Sequence, residues 1–328
     1  MADVTDPAWR KLVAKLGKPD VFWTEFVSAD GLYHTRESRT SRTKDENTII
    51  YDSDSNNPLM RDLAFTEGEH PIVAQIFSNK PEMVAYATKL VAELGFDGVD
   101  LNMGCPDRAI ERQGCGSAMI KTPEVAQAVI RAAKEASDLP VSVKTRVGYD
   151  KESLDEWLPV LLEAKPAAIT LHLRTRKEMS LVPADWELMQ KAVALRDRIA
   201  PEVLLIGNGD ITDLDDAKQK IEASGADGAM LGRGMFGNPW VFAGRKSGDT
   251  PLAEKLAALV ELAHDFEELH PKKNFAILKK HIKAFVTGFD GAAELRAKLM
   301  AAEDGGALAR VVAQEGYTPT PTLRNEQL

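Results

Sequence analysis

The sequence places a cysteine, Cys105, between a glycine and a proline, directly after an apolar run that ends in polar residues. The run Gly98–Asn102 has the composition of a buried parallel strand, so Cys105 falls on the loop that leaves its carboxyl end. In folds that alternate strands and helices, these loops form the active face. A free cysteine is more often a small buried hydrophobe, but this position favours a reactive thiol. We expect the second cysteine, Cys115, to serve packing.

Polar side chains recur at the carboxyl ends of the predicted strands. One Asn or Arg at such a position usually caps a helix or points to solvent, but their accumulation indicates a ligand site. Besides Cys105, the set consists of Gln75, Asn102, Lys144, Arg146, His172, Arg174, Arg176, Asn208, Asp210 and Arg233. Lys144 suits the stabilisation of negative charge on an electron-rich ring, with a solvated lysine as the alternative. His172 suits a donor to a ring carbonyl, with a satisfied core histidine as the alternative.

Two glycine-rich turns follow the last two predicted strands. They are Gly207-Asn208-Gly209-Asp210 and Gly232-Arg233-Gly234. Each motif is weak on its own. Glycine-rich backbone amides at these two neighbouring positions are typical of the phosphate site of a barrel, and the pair therefore predicts an anion site.

The elements that must position these residues alternate regularly between strand and helix. Apolar, β-rich runs are found at Val21–Val27, Ile72–Phe77, Gly98–Asn102, Val141–Thr145, Ala168–His172, Val203–Asn208 and Ala229–Gly232. Helical spacing is found at Pro81–Leu94, 122–137, 152–163, 185–199 and 213–224. The alternation predicts an α/β fold with an all-parallel sheet closed into a (β/α)8 TIM barrel. A barrel of this type needs eight strands, and the sequence shows seven. Asp6 followed by Pro7 predicts the start of a helix near the beginning of the sequence. We expect the missing first strand to precede that helix, upstream of this sequence.

A small all-helical domain is predicted after Trp240. Helical spacing recurs at Lys255–His270, Asn274–Thr287 and Ala292–Ala302. The segment Pro271–Phe289 carries five lysines and no acidic residue, and Lys272, Lys279 and Lys283 are expected on one helical face. The predicted organisation is a catalytic barrel at 1–243, a helical domain at 251–316 and a disordered tail at 317–328.

Composition narrows the class of protein. The 328 residues carry a formal net charge of −9, which argues against non-specific coating of nucleic acid but not against a local basic face. No apolar run is long enough to span a bilayer, and no signal peptide is visible. The two cysteines lie ten residues apart and form no metal-type pair, which predicts a cytoplasmic protein with reduced thiols and no metal.

Several long motifs, in order and at the right spacing, resemble those of the tRNA-dihydrouridine synthase (Dus) family. They are DLNMGCP, the VKTRVG run, LHLRTR, IGNGDI and GRGMFGNPW, and MADVTDPAWR resembles the family's opening motif. KKHIKAFVTGFDGAAELR resembles the family's helical tRNA-binding domain. The likeness covers nearly the whole chain. One departure is Leu173, which stands where the family's usual HGRTR motif has its glycine.

The resemblance implies a monomeric enzyme that binds FMN and uses NADPH to reduce the C5=C6 bond of particular uridines in tRNA. Matched by position, Cys105 would be the general acid, and Arg176 and Asn102 would face the substrate. The residues matched to FMN binding are Met1, Ala2, Gln75, Lys144, His172, Asn208, Gly209, Asp210, Gly232 and Arg233. Lys272, Lys279 and Lys283, and the basic loop Arg36–Lys44, are candidates for tRNA contacts.

The residue types suit this chemistry. A thiol has a pKa of about 8.5, so it is protonated at neutral pH and can donate a proton to C5 after hydride has reached C6.

Two alternative functions remain. One is a flavin-dependent TIM-barrel oxidoreductase that acts on a free pyrimidine-type small molecule, for which the helical domain would be unnecessary. The other is a non-catalytic RNA-binding protein built on the barrel, against which Cys105, Lys144 and His172 argue.

Overall fold

The computed structural model describes residues 4–35 and 58–317. Met1 and Ala2, the basic loop Arg36–Lys44 and the tail beyond Tyr317 lie outside the described residues. The chain divides into two compact units, which are Asp20–Arg233 and, as the other, Met1–Pro19 together with Gly234–Leu328. The domain organisation predicted from the sequence, with boundaries at 1–243, 251–316 and 317–328, differs from these two units and remains a proposal.

The first unit is built on a parallel sheet whose strands follow one another in chain order. The strands are β1 (Phe22–Trp23), β2 (Val27–Ser28), β3 (Ile72–Phe77), β4 (Gly98–Met103), β5 (Val141–Arg146), β6 (Ala168–His172), β7 (Leu204–Asn208) and β8 (Gly228–Met230). Every ladder is parallel, and each strand from β3 to β8 pairs with the next. The sheet curls as in a (β/α)8 TIM barrel, the predicted fold, although no ladder joins β8 to β1 within the described residues.

The helices alternate with these strands and then continue alone. They are α1 (Pro7–Leu16), α2 (Ala29–His34), α3 (Pro58–Asp62), α4 (Pro81–Glu93), α5 (Arg108–Glu111), α6 (Pro123–Ala136), α7 (Leu154–Glu163), α8 (Glu187–Ile199), α9 (Leu214–Ser224), α10 (Leu252–Leu269), α11 (Lys279–Phe285), α12 (Ala292–Met300) and α13 (Gly305–Gln314). Short 3₁₀ turns lie at Glu67–Glu69, Gly116–Lys121, Arg233–Met235, Val241–Ala243 and Phe275–Leu278. The helices α2, α3, α5 and α13 were not predicted from periodicity.

The run predicted as one strand at Val21–Val27 is divided into β1 and β2, which pair with successive parts of β3. Thr24 lies in the break. Its backbone N–H donates to the Val73 carbonyl at 3.0 Å, and its hydroxyl accepts from the Gln75 N–H at 3.0 Å. A side-chain oxygen thus replaces a strand carbonyl, so the backbone of β3 stays hydrogen-bonded while its neighbour bends away.

Register decides which side chains meet inside the sheet. Residues in register on neighbouring strands share a face, and side chains alternate between faces along each strand. Gln75 is in register with Asp100 and Asp100 with Ser142, while Asn102 is in register with Lys144. These polar residues therefore lie on one face in two adjacent levels. Apolar residues occupy the positions between them, and Val99, Leu101, Val143, Ile169 and Leu171 are buried.

The second unit has its own apolar core around α1. Asp6 caps α1 by accepting from the Trp9 N–H at 2.9 Å, as the Asp-Pro signal predicts. Trp9 is fully buried, with its ring centroid 4.7 Å from that of His281 and 5.9 Å from that of Phe285. Ion pairs from α1 to α10, such as Lys11 Nζ to Asp265 Oδ1 at 2.7 Å, border this core.

His281 makes the stability of this unit depend on pH. It is 1% exposed, and burial lowers its pKa to about 4 from the ordinary value of 6.5. The unfolded chain therefore takes up a proton between pH 6.5 and about pH 4 that the folded protein does not, so stability falls as pH falls through this range.

We expect His281→Phe, which keeps a ring between Trp9 and Phe236, to remove most of that loss, at about 1.4 kcal/mol per pKa unit. The measurement is urea unfolding of parent and variant at pH 7 and pH 4.5. Parallel declines in the two proteins would show that this imidazole does not carry the effect.

Candidate active site

A buried carboxylate starts a chain of hydrogen bonds at the centre of the sheet. Asp100 has no exposure to solvent and accepts from Gln75 Nε2 at 2.7 Å and from Ser142 Oγ at 2.6 Å. Because Nε2 is directed at the carboxylate, Gln75 Oε1 faces the other way and accepts from Asn102 Nδ2 at 3.1 Å. Burial raises the pKa of Asp100, against the effects of Ser142, Gln75 and the Lys144 charge. Asp100 thereby orients the amides of Gln75 and Asn102.

This chain of hydrogen bonds ends on the loop that carries the Cys105 thiol. Asn102 Oδ1 accepts from the backbone N–H groups of Gly104 at 3.1 Å and of Cys105 at 3.0 Å. The Cys105 carbonyl accepts from the N–H and the hydroxyl of Ser117, both at 2.9 Å. Gly116 has a φ of 61°, and a Cβ there would lie 2.6 Å from the Cys105 carbonyl oxygen, so only glycine allows this approach. The backbone of Cys105 is thus held on both sides.

The two thiols differ in surroundings. Cys105 is half-buried, and burial raises its pKa, partly opposed by the backbone N–H of Asp107. The thiol therefore stays protonated at neutral pH and remains within reach of solvent. Cys115 is buried, its Sγ lies 3.6 Å from the Gln113 carbonyl, and burial raises its pKa to about 11.

Lys144 lies on β5 beside this chain, and its Nζ donates to Asn208 Oδ1 at 3.1 Å. Asn208 Nδ2 donates in turn to the Met230 carbonyl at 2.8 Å, which joins β7 to β8. Burial, followed by the positive charge of Arg146, lowers the pKa of Lys144 to about 8. Most of the ammonium remains protonated at pH 7, and two of its three N–H groups are left for a ligand.

His172 is held as a neutral ring. Arg174 Nη1 lies 3.2 Å from His172 Nε2, and because a guanidinium only donates, Nε2 accepts and Nδ1 carries the proton. Burial, reinforced by the charges of Lys144, Arg146 and Arg174, lowers the pKa of His172 to about 2. Within the described residues no acceptor contacts Nδ1, so its N–H can be donated to a ligand.

Asp210 holds two arginines at the anion end of the site. Its carboxylate accepts from Arg174 Nη2 and, at 3.0 Å, from Arg233 Nη2, and the Arg174 bond lowers the pKa of Asp210 to about 2. The Arg233 side chain is nonetheless 64% exposed. Gly209 has a φ of 131°, and a Cβ at Gly232 would meet no atom nearer than 3.9 Å. Open backbone and an exposed guanidinium therefore lie side by side, which is a suitable geometry for a phosphate.

Arg146 links the thiol loop to the loop after β6, a function that its position at a strand end did not reveal. It is 6% exposed, and its Nε donates to the Gly104 carbonyl at 2.8 Å. Its Nη1 donates to the carbonyls of Thr175 and Met179, both at 3.0 Å. Burial lowers the pKa of Arg146 to about 10, so it stays charged at neutral pH.

Arg176, which was expected to face the substrate, pairs with Glu111 through Nε at 2.8 Å and through Nη2. Glu111 also accepts from Ser117 Oγ at 2.9 Å. Burial alone would raise the pKa of Glu111, but hydrogen bonds from Arg176, Tyr149 and Ser117 lower it. Glu111 itself was not predicted, because only the folded loop brings it to Arg176, 65 residues away in sequence.

Comparison with known proteins identifies the family. The sequence model of the dihydrouridine synthases (Dus) matches residues 1–315. The chain belongs to the dihydrouridine synthase family. It is 40% identical over 303 residues to a probable tRNA-dihydrouridine synthase of Staphylococcus aureus strain Mu50, covering 92% of this chain and 86% of that protein. It is 40% identical over 304 residues to probable tRNA-dihydrouridine synthase 2 of Bacillus subtilis strain 168, covering 92% and 87%.

A flavin is the cofactor that the Dus family implies, and the donors described above fit one. Lys144 and the Nδ1–H of His172 can donate to the oxygen and nitrogen acceptors of an electron-rich ring, and Gln75 Nε2 has a second amide proton besides the one that it donates to Asp100. The exposed Arg233 and the open backbone at Gly232 suit a phosphate. Met1 and Ala2, matched to the same cofactor, lie outside the described residues.

The remaining predicted residues belong to the other unit of this Dus chain. Lys272, Lys279 and Lys283 are all exposed, but Lys272 precedes the turn Phe275–Leu278, so only Lys279 and Lys283 share a face of α11. The predicted helix Asn274–Thr287 was too long, because its first turn is 3₁₀. In residues 4–35 and 58–317, no cluster of three His, Cys, Asp or Glu side chains is arranged to hold a metal. No helix in those ranges has the length and hydropathy to span a membrane.

Asp100→Asn tests whether the buried carboxylate orients its neighbours. An asparagine presents one acceptor and one donor where Gln75 and Ser142 now both donate, so a hydrogen bond is lost or the Gln75 amide reverses. We expect a loss of about 1–3 kcal/mol in the free energy of unfolding and weaker flavin retention. Ser142→Ala is the control, since it removes one donor and leaves the Gln75 amide in place. Urea unfolding and flavin titration measure both variants, and an Asp100→Asn protein as stable as the parent would refute the orienting role.

Proposed function

We propose that this Dus protein is a tRNA-dihydrouridine synthase that binds FMN, is reduced by NADPH and uses Cys105 as its general acid. The observation that carries the proposal is the placement of a protonated, half-exposed thiol on a loop fixed by Asn102, beside Lys144 and His172 at the carboxyl ends of adjacent strands. The 40% identity to two probable tRNA-dihydrouridine synthases supports tRNA as the substrate.

When bound, the reduced flavin supplies hydride to C6 of the uracil ring. The electron pair of the C5=C6 bond then moves towards C5 and the C4 carbonyl, so C5 requires a proton from a positioned acid. Cys105 is such an acid, because burial keeps its thiol protonated and the hydrogen bonds to its backbone fix its position. The thiolate that forms is reprotonated from solvent through the exposed side of Cys105.

Lys144 and His172 act on charge and orientation. The Lys144 ammonium stabilises negative charge that develops on a ring held beside it, and it does so in a largely dry site where such an interaction is strong. His172 remains neutral, so it orients a carbonyl through Nδ1–H without adding charge. We propose that Asn102, already turned by Gln75, holds the uracil near Cys105.

A uridine in tRNA must leave its stack to enter this site, which requires further contacts with the RNA. The exposed Lys272, Lys279 and Lys283 suit phosphate contacts, and they support tRNA over a free pyrimidine as substrate. Both cysteines are free thiols, which supports a cytoplasmic enzyme. Comparison of unmodified tRNA with free uridine and uracil as oxidants of the reduced protein separates the two substrate classes.

Cys105→Ala removes the proton donor without altering the contacts of Lys144 and His172. We expect NADPH to reduce the bound flavin at a near-normal rate, while dihydrouridine forms at least about a hundredfold more slowly. The measurement is single-turnover reoxidation of the reduced flavin by unmodified tRNA. Cys115→Ala is the matched control and should at most cost stability, since Cys115 is buried. If Cys105→Ala reoxidised as fast as the parent, another group would supply the proton.

Reversing the three lysines tests the RNA surface. We expect the triple change of Lys272, Lys279 and Lys283 to Glu to weaken tRNA binding and to reduce the slope of log K against log salt by about 1 per lysine, with flavin content unchanged. The control is Lys89→Glu with Lys218→Glu, two exposed lysines on the outer helices α4 and α9. A tRNA affinity that equals that of the control at every salt concentration would exclude these three lysines as tRNA contacts.

A further inference from the structure

Three apolar side chains are exposed within four residues on the loop that follows β6. Met179 is 39% exposed, Leu181 87% and Val182 40%. Single exposed hydrophobic residues are ordinary on a protein surface, but a cluster marks a contact site. The loop leaves the carboxyl end of its strand, on the same side of the sheet as Cys105.

The backbone beneath these side chains is held firmly. Arg146 Nη1 donates to the Met179 carbonyl at 3.0 Å, and Arg174 Nε donates to the Val182 carbonyl at 2.6 Å. Met179 has a φ of 56°, in the left-handed region that few side chains adopt, and the Leu181 N–H donates to the Glu178 carbonyl at 2.9 Å. The same two arginines hold the Cys105 loop and His172. The tip is therefore presented in a fixed position relative to the catalytic residues.

Cations and an aromatic ring lie next to this tip. The N–H groups of Arg176 and Lys177 donate to the carbonyls of Gly148 and Tyr149, both at 2.9 Å, which joins the loops after β5 and β6. Lys121 Nζ lies 3.4 Å from the centre of the Tyr149 ring. Lys177 is exposed and forms no ion pair with any described residue. Three of the described acidic residues lie near this tip. Glu111 is paired with Arg176, Glu178 accepts from the N–H and the hydroxyl of Thr175, and Asp150 is exposed beside Tyr149.

We propose that the tip Met179–Val182 packs against nucleobases of tRNA adjacent to the target uridine, with Lys177 and Lys121 on neighbouring phosphates. This inference rests on the proposed function. Removal of a uridine from its stack leaves the face of a neighbouring base uncovered, and an apolar side chain inserted there replaces the lost stacking. Leu181, the most exposed of the three, is the residue that enters the gap.

RNA is favoured over a protein partner by position and charge. The tip is connected through Arg146 to the loop of Cys105, where the substrate base must arrive, and a protein covering it would obstruct entry. The adjacent lysines complement phosphate groups. Apolar contact with bases and ionic contact with phosphates also differ in their response to salt, so the two parts of the surface can be tested separately.

Leu181→Ser tests the apolar contact, and Leu204→Ser is the matched control, because Leu204 is 50% exposed but begins β7 at the opposite end of the sheet. Binding of unmodified tRNA is measured by fluorescence anisotropy at several salt concentrations, with bound flavin and thermal melting as checks on the fold. We expect Leu181→Ser to weaken binding about tenfold at every salt concentration with the slope unchanged, as loss of apolar burial requires. Leu181→Phe should restore binding, and Lys177→Ala should reduce the slope.

Two failures can be told apart. If the parent protein forms no dihydrouridine from tRNA, the proposed function is wrong. If the parent forms dihydrouridine and Leu181→Ser binds tRNA as tightly as Leu204→Ser, the tip is not a tRNA contact, whether or not another macromolecule binds it.

Discussion

The hydrogen bonding of one buried carboxylate governs the geometry of the candidate active site. Asp100 is fully enclosed and can only be satisfied by donors, so it directs the Gln75 amide and, through it, the Asn102 amide. The last oxygen in the chain accepts from the backbone of Cys105. The backbone of the thiol loop is therefore positioned through three side chains on two adjacent strands, beginning with an acid that need not touch any substrate.

Two buried arginines, Arg146 and Arg174, also hold the loops of the site in place. Arg146 contacts the Cys105 loop and the loop after β6, and Arg174 contacts that second loop, His172 and Asp210. Guanidinium groups suit this work because each offers five N–H donors in a rigid plane. The side chain of Arg146 can thus bind three carbonyl groups on two loops that share no regular secondary structure.

Burial and the nearby positive charges together shift the pKa values of the ionisable groups in the site. Burial, reinforced by the charge of Arg146, lowers the pKa of Lys144 to about 8, and burial, reinforced by the charges of Lys144, Arg146 and Arg174, lowers that of His172 to about 2. The hydrogen bond from Arg174 favours the charged form of Asp210 and lowers the pKa of this carboxyl to about 2. The site thus contains a cation, a neutral donor and a protonated thiol at the same pH, three states that hydride and proton addition to an electron-poor ring would use.

Local chain properties were sufficient to predict the sheet. Apolar runs alternating with helical spacing predicted seven strands of a barrel, and the confirmed parallel ladders follow them in chain order, because strand and helix periods depend on neighbouring residues. The Gly-Cys-Pro loop and the strand-end polar residues were visible for the same reason. The family predicted from the motifs was confirmed, because the Dus family model matches residues 1–315.

Only the tertiary structure decided which of these residues touch. The pairing of Arg176 with Glu111, the link from Arg146 to Gly104 and the orienting position of Asp100 join segments between 25 and 65 residues apart. No local pattern encodes such contacts, since they depend on strand register and on how loops close over the sheet. The same holds for the break at Thr24, where a side-chain hydroxyl replaces a strand carbonyl, and for Lys272, which a 3₁₀ turn separates from the face of α11.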